Sequence, residues 1–307
     1  MSVEQNTPPT FNYEAFEVPE NIALTFHLGH HFDALDLPDS ATLDATLRKA
    51  DMVILESVHD NSSKNIMAAI AMGRTKEYQN FRSEFKENEM GEWLAAFASS
   101  LFASRTATAN VDVHVDHPSI KAFLKTEPIV RRAAEWPVRE KFNDIVPLLE
   151  AHFGATKARD QAILSNIKPE IEAALSTNRR LTDKRGSEPL GVHVYYGATH
   201  TSLFDALSFK QQTRPVEGFS VTKSDDSIEN ELSQRNYANF VRNQDILVDE
   251  VEKHFAYLIF ASHIYRTGRL KGKVSTRELQ DIFFSVESNL DLGNPRTIPF
   301  QVDALPI

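Results

Sequence analysis

Two histidines and a glutamate stand where apolar stretches of this chain end, and these residue types carry hydrolytic chemistry. His30, Glu56 and His200 each follow a run of apolar and β-branched residues. An imidazole titrates near pH 6.5 and can move protons, and a carboxylate can orient it or act as a base. The same three side chains can hold Zn²⁺ or a related ion with a position left for water. The residue types therefore predict either metal-free acid/base chemistry or a metal-assisted site.

The elements that must position these side chains are predicted strands of a parallel sheet. Apolar or alternating patterns indicate strands at 21–28, 52–55, 110–115, 192–196 and 218–221. Long helical segments separate these strands, which is typical of parallel sheets. The carboxyl ends of parallel strands share one edge, and ligands bind outside that edge. We therefore predict an α/β fold with a mostly parallel central sheet flanked by helices, and expect His30, Glu56 and His200 to meet in one hollow.

The helical segments have recognisable boundaries. Residues 62–105 carry aromatic and leucine side chains at spacings of three and four, which predicts a helical insert with breaks at Gly73 and Gly91. Three prolines are expected to cut the segment 119–153 into pieces. Isoleucines at four-residue steps predict an amphipathic helix over 156–175.

These patterns predict three parts along the chain. Residues 1–20 are polar and contain prolines, and form an N-terminal arm. Residues 21–222 form the α/β core with its insert at about 62–105. Residues 223–307 form a helical C-terminal region packed on the core.

Composition excludes several classes of function. The net charge is −10 and no cluster of Lys and Arg offsets it, so nucleic acid and anionic membranes are not expected partners. The chain has no cysteine, so a metal would need His and carboxylate ligands. The first twenty residues lack a secretory pattern and no apolar run is long enough to span a bilayer. We expect a cytoplasmic protein with a small-molecule or peptide substrate; a homo-oligomer stays open.

Acidic and imidazole side chains also cluster near the third predicted strand. Alternation would place Asp112, His114 and Asp116 on one face, with His117 next to them. For His114, Asp116 and His117, a turn cluster with local hydrogen bonds is the commoner outcome, and a third contribution to the site is the alternative.

Four motifs carry a family resemblance. They are HLGHHFDALDL, LRKADMVILES, ARDQAILSNI and VHVYYGATHTSL. In this order they resemble the Tiki/TraB superfamily, which includes erythromycin esterases and haem-uptake proteins of the ChaN type. Members have a GxxH motif after the first strand, a Glu ending the next strand, an Arg-Asp or Arg-Asn pair on a helix, and a second GxxH. The resemblance covers residues 22–210.

The resemblance implies a set of functional residues. These are His30, Glu56, Arg159, Asp160 and His200. His30, Glu56 and His200 are the implied ligands if a metal is bound, and Arg159 would hold Glu56 or an anionic group of the substrate.

The first GxxH motif departs from the family pattern. His27 stands where the family has glycine, whereas the second motif, beginning at Gly197, is complete. His31 is therefore an alternative to His30, and spacing favours His30.

The resemblance implies a hydrolase acting on a peptide, ester or lactone bond, with or without a divalent transition metal such as Mn, Co or Zn. Because the superfamily hosts several activities, a haem-like ligand-binding role is the alternative. A partner-binding role with the helices of 227–289 as the docking surface is a further alternative.

Overall fold

The structure is a computed structural model that describes residues 16–29, 45, 47–56, 61–84, 89–133, 135–197, 200–213, 218–223, 232–270 and 276–305. Five strands run through it: β1 (Ile22–Gly29), β2 (Met52–Leu55), β3 (Ala107–Ala109), β4 (Leu190–Gly197) and β5 (Phe219–Lys223). They form one parallel sheet in the order β3-β2-β4-β1-β5. The predicted α/β class with a parallel central sheet is confirmed.

Strand register brings the carboxyl ends of the central strands to one edge. β1 and β4 pair along their whole length, from Ile22 opposite Leu190 to Gly29 opposite Gly197. β2 pairs with the other side of β4, and the backbone N–H of Glu56 extends this ladder by donating to the Tyr195 carbonyl at 2.9 Å. Residues that follow β2 and β4 therefore start close together in space.

Helices make up most of the remaining described chain. They are α1 (Asn61–Ala71), α2 (Thr75–Glu84), α3 (Glu89–Ser104), α4 (Pro118–Ala133), α5 (Val138–Ser176), α6 (Arg179–Arg185), α7 (Thr201–Thr213), α8 (Leu232–Val241), α9 (Val248–Thr267), α10 (Thr276–Val286) and α11 (Ile298–Ala304), with short 3-10 helices at Glu287–Asn289 and Pro295–Thr297. No helix within these described ranges has the length and apolar character needed to cross a bilayer.

Helix α5 covers one face of the sheet because its apolar side chains recur every four residues. Ile163 and Ile167 are fully buried and belong to the same cluster as Val192, Val194 and Tyr196 of β4. Removing these side chains from water is the main stabilising contribution of the layer. The predicted amphipathic helix over 156–175 is the second half of α5.

Other apolar clusters lie outside this layer. Val53 of β2 faces the opposite side of the sheet and packs with Phe97 and Leu101 of α3. Helices α8 and α9 pack on α4 and α5 through a cluster that includes Phe153 and Tyr237. The C-terminal helices thus lie against the helix that carries two of the predicted site residues.

Two predictions about element boundaries are corrected. The third strand is Ala107–Ala109 and not 110–115; it pairs with β2, and residues 110–115 follow it as irregular backbone with a single bridge at His114. Gly73 does break the insert, with φ +82° between α1 and α2, but Gly91 lies inside α3.

The prolines of the central helical segment also behave differently from the prediction. Pro137 directly precedes α5 and separates it from α4, as predicted. Pro128 lies inside α4 and Pro147 lies inside α5, so neither of them cuts the segment as predicted. A proline in a helix interior costs about 3 kcal/mol, which packing on both sides of α5 must offset.

A buried histidine in the helical region predicts acid sensitivity. His254 of α9 is 8% exposed, and its Nδ1 has no hydrogen-bond partner among the described residues. Burial, with a smaller effect of His152, lowers the pKa of His254 to about 4. An unfolded histidine titrates near 6.5, so between this pH and about 4 the unfolded chain binds a proton that the folded protein does not. The contribution of the neutral His254 ring to the free energy of unfolding is therefore complete above pH 6.5 and is lost as the pH falls towards 4.

Replacing His254 with phenylalanine is expected to flatten this pH dependence. Between pH 8 and pH 5 the wild type should lose about 2 kcal/mol more unfolding free energy than His254→Phe, because only the wild type has this group to protonate. Urea unfolding of both proteins at the two pH values measures this loss. The difference between the two proteins at pH 8, where His254 is neutral, gives the effect of the substitution on packing. If the unfolding free energies of the two proteins change equally with pH, His254 does not have a lowered pKa in the folded state.

Candidate active site

Glu56 enters the carboxyl edge of the sheet because β2 delivers it there. It continues the alternation of Met52 and Ile54, so its side chain lies on the α5 side of the sheet. One carboxylate oxygen, Oε2, accepts a hydrogen bond of 2.9 Å from the backbone N–H of Gly197, the last residue of β4. The side chain is 15% exposed. The two strand ends are therefore tied together through one carboxylate that still reaches solvent.

Arg159 of α5 bridges Glu56 to a second carboxylate. Its Nη2 donates to Glu56 Oε1 at 3.1 Å, and its Nε and Nη2 donate to the two oxygens of Asp112 at 3.0 and 2.6 Å. Burial opposes the charge, but the hydrogen bonds and charges of Asp112 and Glu56 outweigh it and raise the pKa of Arg159. The guanidinium is thus a fixed positive charge in this region.

His200 stands between two carboxylates. Its Nε2 lies 2.9 Å from Glu56 Oε1, and its Nδ1 bonds Asp160 Oδ1. Burial alone would lower the pKa of His200, but the two carboxylates outweigh it and raise the pKa to about 10. At neutral pH the ring is therefore an imidazolium that donates from both nitrogens.

Asp160 is held by three donors in the interior. It is fully buried, and besides His200 its carboxylate accepts from the Ser202 hydroxyl and, at 3.1 Å, from the Tyr237 hydroxyl. The Ser202 and Tyr237 hydroxyl oxygens also lie 2.7 Å apart, so one of the two hydroxyl protons is shared between this contact and Asp160. Because Tyr237 belongs to α8, the helical C-terminal region contributes directly to the site.

Four of the five predicted site residues lie in this one network. Arg159 and His200 meet at Glu56, and Asp160 bonds the far side of the His200 ring. His30 and the alternative His31 lie outside the described residues.

Three residues of the network were not predicted as site residues. Asp112 follows the third strand, where a carboxylate after an apolar run was a usable signal, but the misplaced strand obscured it. Ser202 and Tyr237 carry no such signal in the sequence. The neighbouring His114 contacts Asp116, and Asp116 also forms an ion pair with Lys121, as expected for a turn cluster.

The described residues do not fit a metal ion at this site. A metal needs an imidazole nitrogen with a free lone pair, whereas both ring nitrogens of His200 already lie within hydrogen-bond distance of carboxylates, Nε2 of Glu56 and Nδ1 of Asp160. Glu56 Oε1, the oxygen facing His200, already accepts from the Arg159 guanidinium. Elsewhere in the described part of the chain, no three His, Asp or Glu side chains are arranged to hold a metal. The predicted ligand set of His30, Glu56 and His200 stays a prediction, because His30 lies outside the described residues.

Fold and site together define an α/β protein with a charged, hydrogen-bonded network at the carboxyl edge of a parallel sheet. Comparison with known proteins finds no protein-family model, curated protein or solved structure that matches the chain. The resemblance to the Tiki/TraB superfamily therefore rests on the four sequence motifs alone.

Removing the Tyr237 hydroxyl is expected to weaken the network. Tyr237→Phe deletes a buried hydrogen bond to a carboxylate, so the unfolding free energy should fall by about 1.5–3 kcal/mol. Tyr265→Phe is the matched control, because Tyr265 is 56% exposed and its replacement should change stability by no more than about 0.5 kcal/mol. Urea unfolding measures both variants. Equal stability of the two would mean that Tyr237 does not hold Asp160.

Proposed function

We propose that this protein is a hydrolase of the Tiki/TraB type that cleaves a peptide, ester or lactone bond with Glu56 as general base. The observation that carries the proposal is the continuous chain of hydrogen bonds from Asp160 through His200, Glu56 and Arg159 to Asp112. This chain is buried at both ends and reaches solvent in the middle, where Glu56 and Arg159 are 15% and 18% exposed. Such burial of paired charges is costly and is typical of catalytic sites.

Glu56 suits the role of base because hydrogen bonds from its neighbours hold it where the network reaches solvent. It would take a proton from water as the water oxygen attacks the carbonyl carbon of the substrate, while the π electrons of the carbonyl move to its oxygen. When the tetrahedral intermediate collapses, the bond to the leaving group breaks. Glu56 then returns the proton to the leaving oxygen or nitrogen.

His200 and Arg159 supply positive charge instead of moving protons. With a pKa of about 10, the His200 imidazolium keeps its protons at neutral pH and orients Glu56, while the partly exposed Arg159 guanidinium stabilises negative charge on the substrate oxygen. For His200 this differs from the proton-moving role that its residue type predicts. Asp160 fixes the ring, as a carboxylate does for a catalytic imidazole. Since the described residues do not fit a metal, no step uses one.

A substrate panel tests the proposal. The wild type should hydrolyse at least one class among activated esters, lactones and internally quenched peptides, at a rate unchanged by dialysis against a chelator. Glu56→Gln, purified identically, is the blank for contaminating hydrolases. If no substrate class is cleaved faster by the wild type than by this blank, the hydrolase assignment is wrong.

A further inference from the structure

The hydroxyl of Tyr196 is a buried polar group beside the network that takes no part in its hydrogen bonds. Tyr196 belongs to β4, is 2% exposed, and its hydroxyl oxygen has no hydrogen-bond partner among the described residues. A buried hydroxyl left unpaired costs about 1–3 kcal/mol, and an unpaired group in a folded protein calls for an explanation.

The position of Tyr196 connects it with the reacting groups. Its ring packs edge-on against His200, with 5.3 Å between the ring centroids. Burial and the charges of Asp112 and Glu56 raise the pKa of Tyr196 well above its usual value, so the hydroxyl keeps its proton. The Tyr196 hydroxyl is therefore a hydrogen-bond donor that is close enough to Glu56, the proposed base, for the charge of Glu56 to affect its pKa.

Size and charge indicate what this hydroxyl binds. The side chain is almost fully covered, so only a very small ligand can reach it. The carboxylates of Glu56, Asp112 and Asp160 outnumber the cations of Arg159 and His200, which disfavours an anion and favours a neutral molecule that can donate hydrogen bonds. Water meets both conditions, and buried waters commonly pair otherwise unsatisfied polar groups.

We propose that Tyr196 is a catalytic residue that binds the nucleophilic water of the site. The inference rests on the proposed hydrolase function. The Tyr196 O–H donates to the water oxygen, and the water donates one of its protons towards Glu56. As Glu56 accepts that proton, the O–H electron pair of the water forms the new bond to the substrate carbonyl carbon, and the carbonyl π electrons move to its oxygen. Tyr196 keeps its own proton throughout.

Tyr196→Phe tests the inference, with Tyr195→Phe as the matched control. Tyr195 is the neighbouring residue on β4 and contacts the cluster on the opposite face of the sheet. High-resolution crystals of the wild type should show an ordered oxygen about 3 Å from the Tyr196 hydroxyl, and crystals of Tyr196→Phe should lack it. The kcat of Tyr196→Phe should fall about 10²-fold with little change in KM, because a misplaced nucleophile slows the chemical step. Tyr195→Phe should keep both constants.

Stability gives a readout that does not depend on activity. If the hydroxyl binds water, Tyr196→Phe loses a hydrogen bond and its urea midpoint falls; if the hydroxyl is unpaired, the replacement removes a penalty and the midpoint rises. One outcome is ordered density and a lowered urea midpoint in a protein that hydrolyses no substrate. That result would show that Tyr196 binds a water molecule, but it would overturn both the role of this water as nucleophile and the proposed hydrolase function. Absence of density with a raised midpoint would overturn the inference even if Glu56→Gln abolishes hydrolysis.

Discussion

Glu56→Gln is expected to lower kcat by about 10²- to 10⁴-fold on any substrate that the wild type hydrolyses, because this is the usual contribution of a general base. Glutamine has nearly the same shape as glutamate and can still accept the hydrogen bond from the Gly197 backbone N–H. It has no carboxylate to take a proton from water. KM should change little if Glu56 acts on the water and not on the substrate.

The control for this variant is a carboxylate that makes an ion pair away from the site. Glu172 accepts two hydrogen bonds from Arg185 and its side chain is 41% exposed. Glu172→Gln should retain wild-type kcat and KM. Circular dichroism must show that Glu56→Gln is folded, since Arg159 and His200 each lose a charged partner. A folded Glu56→Gln with kcat within about threefold of the wild type would exclude Glu56 as the base.

The sheet was predictable because its strands are encoded locally. The alternation of Val192, Val194 and Tyr196 marks a strand wherever it lies in the chain, and the intervening helices force a parallel arrangement. Parallel order then places the residues after β2 and β4 at one edge. The meeting of Glu56 with His200 therefore followed from topology alone.

The third strand was misplaced because two local signals compete there. The sequence VDVHV alternates like a strand, but Asp112 accepts a hydrogen bond from the backbone N–H of Val113, and Asn110 accepts one from the N–H of Asp112. Such bonds from Asp and Asn side chains hold the backbone in a turn. As a result the strand ends at Ala109, and Asp112 becomes available to Arg159.

The interior side of the network was not predictable because its contacts join distant parts of the chain. Tyr237 lies 77 residues from Asp160 and 35 from Ser202. No spacing rule connects such residues; only the packing of α8 on α5 brings them together. The same packing explains why Pro147 does not end α5, since tertiary contacts outweigh local helix propensity.

Arg159→Met is expected to reduce the unfolding free energy by about 3–5 kcal/mol, because removing one partner of a buried ion pair leaves an uncompensated charge. The side chain of Asp112 is 0% exposed and accepts two hydrogen bonds from this guanidinium. Arg242→Met is the matched control: Arg242 makes the same two-bond contact with Asp205, but their side chains are 39% and 21% exposed. An exposed pair of this kind contributes about 0.2–1 kcal/mol.

A double variant separates the charge from the loss of packing. If the penalty arises from the unpaired Asp112 carboxylate, Asp112→Asn should restore part of the stability of Arg159→Met, although Asp112→Asn alone destabilises the wild type. This non-additivity is measured by urea unfolding of the two single variants and the double variant. Additive losses would show that Arg159 stabilises the fold through its hydrocarbon chain. If the two substitutions are instead non-additive and Arg159→Met also loses hydrolysis, the Arg159–Asp112 ion pair both stabilises the edge of the sheet and holds Arg159 where it orients Glu56 for catalysis.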